Sequence, residues 1–328
     1  MKALIKVGYG CNEHCTFCHT QDLRHIEGEA SEVYAKIARA KALGHSMVVL
    51  SGGEPTLRSE LFAWAARIAA LDMDFGLVTN GLRLAYPDVV DRLMKSRMRY
   101  VYMSLHGGSE NIHNRLVRAD TFEAAKAAVK TLAGRGLDYM INCVVTKTNV
   151  GHLRELVDIV LPFPDVRLKF SMVAPKGGGD RHFDALTPPV AQVGERVADA
   201  ITYAMTQSGS SRHRFGHDGV PLCLVGPYAD LYDDLKTHGY ATMVDIGELY
   251  QPDLPDGAEF DDDEAGPQTL TLGDGLAQQC DARLDLGAIA RVGDALQIRL
   301  ERDQRVGVVA VSYTHLRAHE TKANLVCR

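Results

Sequence analysis

Over its first 190 residues the chain alternates short, β-rich apolar runs with segments whose apolar residues recur every three or four positions. The strand-like runs are 3–9, 47–51, 75–79, 100–105, 139–146 and 166–173, and the helical segments are 32–43, 60–71, 87–96, 121–133 and 150–160. Asp120, three positions before Glu123, reads as a capping-box variant, and Gly44 and Gly134 read as helix stops. Strands alternating with helices imply parallel βα units with right-handed crossovers, hence an α/β fold. Six units fall short of the eight that close a full barrel, so an open partial barrel and a doubly wound sheet both fit. Either way, chemistry is expected at the C-terminal ends of the strands.

Beyond about residue 185 the alternation fails. One helix is expected at 189–206, Pro/Asp-rich sequence runs from 251 to 266, and a weaker strand pattern lies near 296–300. Charge divides the chain in the same place: the net is +4 over residues 1–190 and −12 over 191–310. Neither value gives the concentrated basic face of a general nucleic-acid binder. Asp261-Asp262-Asp263-Glu264 reads as a solvated acidic loop. No run is long enough to span a bilayer and the N-terminus lacks a signal-peptide pattern, so a soluble cytoplasmic protein is expected. Residues 311–328, beginning Val311-Ser312-Tyr313-Thr314-His315, resemble translated sequencing-adapter read-through and are expected to be a non-native tail.

Of seven cysteines, three fall within eight residues, in Cys11-Asn12-Glu13-His14-Cys15-Thr16-Phe17-Cys18 after the first strand-like run. An odd count argues against a secreted disulfide framework, and such clustering in a reducing compartment argues for metal or redox chemistry. A structural zinc site with His14 or His19 as fourth ligand is one reading. A four-iron cluster with one iron left open is the other.

CxxxCxxC with an aromatic residue before the last cysteine, Phe17, resembles the cluster motif of radical S-adenosylmethionine (SAM) enzymes. Further motifs follow in that family's order at the ends of successive strand-like runs. They are Ser51-Gly52-Gly53-Glu54-Pro55, Thr79-Asn80-Gly81, Ser104-Leu105-His106-Gly107, Asn142, and Met172-Val173-Ala174-Pro175. The resemblance covers roughly residues 1–190. It implies a partial (β/α)6 barrel over 1–188, with a smaller, irregular α+β extension over 189–310 of the SPASM/twitch type.

The same resemblance implies roles. Cys11, Cys15 and Cys18 would ligate three irons of a [4Fe–4S] cluster, with SAM chelating the fourth. Gly52, Gly53 and Glu54 would hold the methionine amino group, glycine allowing close approach of ligand and backbone. Ser104 would face the ribose or the carboxylate, with Thr79 and Asn142 nearby, and Phe17 and Val173 would flank the adenine. An external electron, from a flavodoxin- or ferredoxin-type donor, would then cleave SAM to a 5′-deoxyadenosyl radical that removes a hydrogen atom from the substrate.

A peptide or protein side chain is the expected substrate, because related chains with such extensions act on peptides. With the first strand beginning at residue 3, a peptide would need a recognition partner or direct docking. A small-molecule radical SAM enzyme of cofactor or nucleotide biosynthesis is the alternative. A non-catalytic zinc- or iron–sulfur-binding regulator is the alternative from another class. Cys223 and Cys280 are too few to hold an auxiliary iron–sulfur cluster without other ligands, so none is expected. His106 is a candidate substrate contact, Cys143 reads as core, and Gly177-Gly178-Gly179 reads as a flexible loop beside the SAM site.

Overall fold

The computed structural model describes residues 1–208 and 211–233, with the strands Tyr240–Val244, Ile298–Arg302 and Val309–Tyr313. Six strands form the frame: β1 (Lys2–Lys6), β2 (Met47–Ser51), β3 (Asp74–Thr79), β4 (Met98–Ser104), β5 (Asp138–Val145) and β6 (Val166–Met172). They lie side by side in chain order, and every pairing is parallel. Winding in one direction through right-handed crossovers puts all the connecting helices on one face, which is barrel-type rather than doubly wound order. These helices are α1 (Ala30–Ala42), α2 (Leu61–Ala70), α3 (Pro87–Lys95), α4 (Glu110–Val117), α5 (Phe122–Leu132) and α6 (Leu153–Val160).

The sheet continues past the six expected strands. A four-residue strand, β7 (Phe215–Asp218), pairs with β6, and β8 (Tyr240–Val244) pairs with β1, giving eight parallel strands. Two short helical turns, α7 (Gly178–Arg181) and α8 (Phe183–Leu186), lead into α9 (Val190–Ser208). The buried residues Val193, Val197, Ala200 and Ile201 of α9 belong to the same core as the strands. Ile298–Arg302 and Val309–Tyr313 form a separate antiparallel pair, the first overlapping the weaker strand pattern near 296–300 and the second running into the tail that begins at 311.

Alternation along each strand sorts residues between two faces. Ile5, Leu50, Leu77, Val101, Ile141 and Leu168 are fully buried in the core they share with the helices. On the other face Leu4, Val49 and Tyr100 form a small apolar floor. Gly44 and Gly134, at φ +77 and +75, follow α1 and α5 as the expected stops.

Three local expectations are corrected. The first strand ends at Lys6, because Gly8, at φ +151, turns the chain away. Helix α4 lies in a stretch the periodicity leaves unassigned. Asp120 does not cap α5: its carboxylate accepts from Asn114 Nδ2, at 2.9 Å. The side-chain carbonyl of Asn114, on α4, accepts from the Thr121 and Phe122 N–H groups, both at 3.0 Å. One helix therefore supplies the N-terminal cap of the next. Among the described residues, no helix is long and apolar enough to cross a membrane.

Candidate functional site

The site is assembled at the C-terminal ends of β1 to β4, and much of what binds its loops together is main chain. After β2, the Gly53 N–H donates to Gly8 O and the Glu54 N–H to Gly10 O, each at 2.8 Å. A Cβ on Gly52 would stand 2.0 Å from Gly8 O, and one on Gly53 would stand 2.3 Å from the carbonyl oxygens of Tyr9 and Gly10. The two glycines are thus required by close packing of one loop's backbone on another's.

Glu54 is buried, and its carboxylate is already rich in protein donors. Thr56 N–H (2.9 Å) and Oγ1 (2.6 Å) reach Oε1, Asn80 N–H reaches Oε2 at 2.6 Å, and Thr79 Oγ1 lies 2.8 and 2.9 Å from the two oxygens. Burial pushes its pKa up, against these hydrogen bonds. The Thr79 hydroxyl is directed to Glu54 and also accepts from the Gly81 N–H at 3.0 Å. Asn80 then ties this unit to the cysteine loop, donating from Nδ2 to Asn12 Oδ1 at 2.8 Å.

The cysteine loop also rests on elements that the sequence leaves unassigned. The His14 N–H donates to Val117 O at 2.7 Å and the Thr16 N–H to Leu116 O at 3.1 Å, so the loop satisfies open carbonyls at the C-terminal end of α4. From the other side, the Gly178 N–H donates to Cys18 O at 2.9 Å. A Cβ on Gly177 would stand 2.3 Å from His19 O. The triple-glycine segment is therefore a packed brace against the cysteine loop, with Gly178 and Gly179 buried.

Cys11, Cys15 and Cys18 are free and partly buried. Burial, with the carboxylates of Glu54 and Glu13 adding to it, pushes the Cys11 thiol up to about 11. Burial, then Glu13, then the other two cysteines push Cys15 well above its ordinary range. Cys15 thus senses both other sulfurs, yet among the described residues no three His, Cys, Asp or Glu side chains are set to grip a single ion. Sulfurs around one zinc stand about 3.8 Å apart, given Zn–S bonds of about 2.3 Å. A four-iron cluster engages each cysteine through a different iron, and three free thiols on one loop suit it, leaving one iron open.

The remaining predicted residues divide. Ser104 and Asn142 are register partners across β4 and β5. Ser104 is half-buried, and its hydroxyl has no partner among the described residues. Asn142 Oδ1 accepts from Ser171 Oγ at 2.6 Å. Phe17 is half-buried, edge-on to the His106 ring with centroids 4.7 Å apart. Val173 is fully buried, and the site for a Cβ on Gly179 is 3.3 Å from its Cγ1, so it lies under the glycine brace.

His106 is 2% exposed and acts in packing: its Nδ1 accepts from the Val144 N–H at 3.1 Å, and its carbonyl accepts from Asn149 Nδ2 at 2.8 Å. Burial, then His113, pull its pKa down to about 3. Cys143 is core, as expected. Cys223 lies in the turn Leu222–Leu224, while Cys280, the acidic run 261–264 and residues 314–328 lie outside the described residues. Thr121, Asn114 and the carbonyls of α4 are site-building groups that the sequence does not announce, while Asn80 and Glu13 stand inside its motifs without a role of their own.

Comparison with known proteins agrees with this geometry. Residues 5–160 match the family described as the radical SAM superfamily. A mycofactocin maturase of Mycobacterium ulcerans is 28% identical over 245 residues, covering 68% of this chain and 65% of that protein. PqqA peptide cyclase of Streptomyces rochei is 27% identical over 235 residues, covering 70% of this chain and 61% of that one. The crystal structure of Streptococcus suis SuiB bound to precursor peptide SuiA superposes with a TM-score of 0.52 at 21% identity, covering 66% of this chain and 48% of that chain, a likeness of fold. The family match thus spans just under half of the chain, from the first strand through α6. The chain spans less than two thirds of the length of the relatives it matches.

Proposed function

We propose that this chain is a radical SAM enzyme of the SPASM/twitch-type subgroup that modifies a peptide or protein side chain. The observation that carries the reading is the locked unit at the head of the barrel. There the cysteine loop, the Gly52–Gly53 turn and the Glu54–Thr79–Asn80 network are joined by hydrogen bonds between three successive βα units. The family implies a [4Fe–4S] cluster and SAM. Cys11, Cys15 and Cys18 hold the cluster, and when bound the pair supplies reductive cleavage of SAM and hydrogen-atom abstraction.

The chain's own residues position these groups. Glu54 fixes the Gly52–Gly53 turn, leaving main-chain groups of that turn to meet the methionine end of SAM. Ser104 offers its hydroxyl from the β4 end, Asn142 lines the same wall, and Phe17, backed by His106, borders the adenine side. Binding must displace protons from thiols held above their ordinary pKa, as metal sites commonly do.

The peptide class is supported by the maturase and the peptide cyclase. Their matches cover 68% and 70% of this chain, more than residues 1–188 alone supply. The division at residue 188 is offered on the same footing, as is a flavodoxin- or ferredoxin-type electron donor. Anaerobic 5′-deoxyadenosine formation by the reconstituted, dithionite-reduced protein tests the reading. Product is expected from the wild type and none from Cys11→Ala, and absence from a wild type with full iron and bound SAM would contradict it.

A further inference from the structure

Glu13 stands between the first two cysteines, flanked by the exposed Asn12 and His14, yet it is only 2% exposed. Burying a carboxylate is costly unless it is paired. Its partners are few and carry no positive charge. Thr121 Oγ1 donates to Oε1 at 2.8 Å, across 108 residues of sequence. His113 Nε2 lies 3.8 Å from the same oxygen, while its Nδ1 accepts from the His106 N–H at 3.2 Å, which fixes a neutral ring with its proton on Nε2. Among the described residues, no lysine or arginine pairs with Glu13.

The other carboxylate oxygen faces the metal ligands. Oε2 accepts from the Cys15 thiol at 3.8 Å, and the backbone N–H of Glu13 donates to Cys11 Sγ at 3.5 Å. One residue therefore touches two of the three sulfurs, by a dipole at one and a carboxylate at the other.

We propose that Glu13 is a positioning residue that sets the reduction potential of the cluster held by Cys11, Cys15 and Cys18, making it harder to reduce by fixing a carboxylate beside Cys15. Net charge and hydrogen bonds to the sulfurs are the protein's main controls on such potentials. A carboxylate in a site of low dielectric opposes the arriving electron more strongly than one in water. The consequence is a division of labour: the external donor must be more reducing, and the electron is delivered onward with greater driving force. Thr121 and His113 keep the carboxylate in place while remaining neutral, and Arg24, whose Nη1 lies 3.5 Å from Cys11 O, acts on the same cysteines in the opposite sense without pairing with Glu13. This inference rests on the cluster reading above.

The test is an anaerobic redox titration of the reconstituted protein, followed by the electron paramagnetic resonance signal of the reduced cluster, with iron counted in every sample. Glu13→Gln keeps the shape and the acceptor for Thr121. It should favour reduction at least tenfold, which is about 59 mV to more positive potential for a one-electron couple. Glu123→Gln removes a glutamate that is 70% exposed, and it should leave the potential where it was. Equal potentials in all three proteins at equal iron content would overturn the proposal.

If Glu13→Gln takes up no iron, Thr121→Val decides. Removing the hydrogen bond that disperses the carboxylate's charge should lower the potential, and a rise or no change there would overturn the proposal. A wild type that takes up no iron would instead overturn the cluster reading itself, and the inference with it.

Discussion

The two faces of the sheet are made by the same strands, and they do different work. Toward the helices, Ile5, Leu50, Phe75, Val101, Ile141 and Leu168 are apolar and fully buried. Toward the interior, one residue along, an apolar floor of Leu4, Val49 and Tyr100 gives way to Ser104, Asn142, Ser171 and the buried Lys169. Lys169 Nζ donates to Asp233 O at 3.0 Å and lies 3.6 Å from Asp218 Oδ2. A polar wall of this kind adds less to stability than apolar packing would, since each polar group must first be desolvated. The difference teaches where function was given room: the helix-facing face specifies the fold, and the interior face was left free to specify chemistry.

The largest effect should come from the helix-facing side. Phe75→Ala empties a fully buried position and should cost about 3–5 kcal/mol by denaturant unfolding. A loss under 1 kcal/mol would break the comparison. Glu54→Ala comes next, because it strands the buried donors of Thr56, Thr79 and Asn80. At about 1–3 kcal/mol for a buried group left unsatisfied, destabilisation should accompany any loss of SAM affinity. Unchanged stability with weaker SAM binding would make Glu54 a ligand contact rather than a brace.

The third test uses pH. The His106 pKa falls to about 3 in the fold, against 6.5 in the unfolded chain, so below pH 6.5 the unfolded state binds a proton that the folded state refuses. Its contribution is fully present above pH 6.5 and declines as pH falls toward 3, with a slope approaching 1.4 kcal/mol per pH unit. Unfolding measured between pH 6.5 and 4.5 should show that slope reduced in His106→Gln, and an identical slope would refute the assignment. The smallest change belongs to the interior wall. Ser104→Ala should leave stability within about 0.5 kcal/mol. It should weaken SAM binding by roughly three- to tenfold, the worth of one hydrogen bond, as read by calorimetry on the reconstituted protein.

The two faces were also unequally legible. The helix-facing pattern repeats along each strand, so six strands and five of the crossover helices are readable from period and from Gly44 and Gly134. Helix α4 is only eight residues long, with Ile112, Leu116 and Val117 as its apolar positions, too few to declare a period. Strand β7 reads Phe-Gly-His-Asp and joins an edge, where polar residues are tolerated. In the site, the cysteines and the glycine pair are local motifs and can be read as such. Their supports are not local: Asn80 meets Asn12 across 68 residues and Thr121 meets Glu13 across 108. No spacing rule announces such a pair, and only the fold brings it together.

The claim on which the rest depends is that Cys11, Cys15 and Cys18 hold one four-iron cluster open to SAM. Metal analysis of anaerobically reconstituted protein, with the electron paramagnetic resonance spectrum recorded after reduction with and without SAM, addresses it directly. The account predicts about four irons per chain, a signal that changes shape when SAM is added, and loss of both in Cys11→Ala. A colourless protein carrying one zinc, or a cluster whose signal ignores SAM, would contradict it.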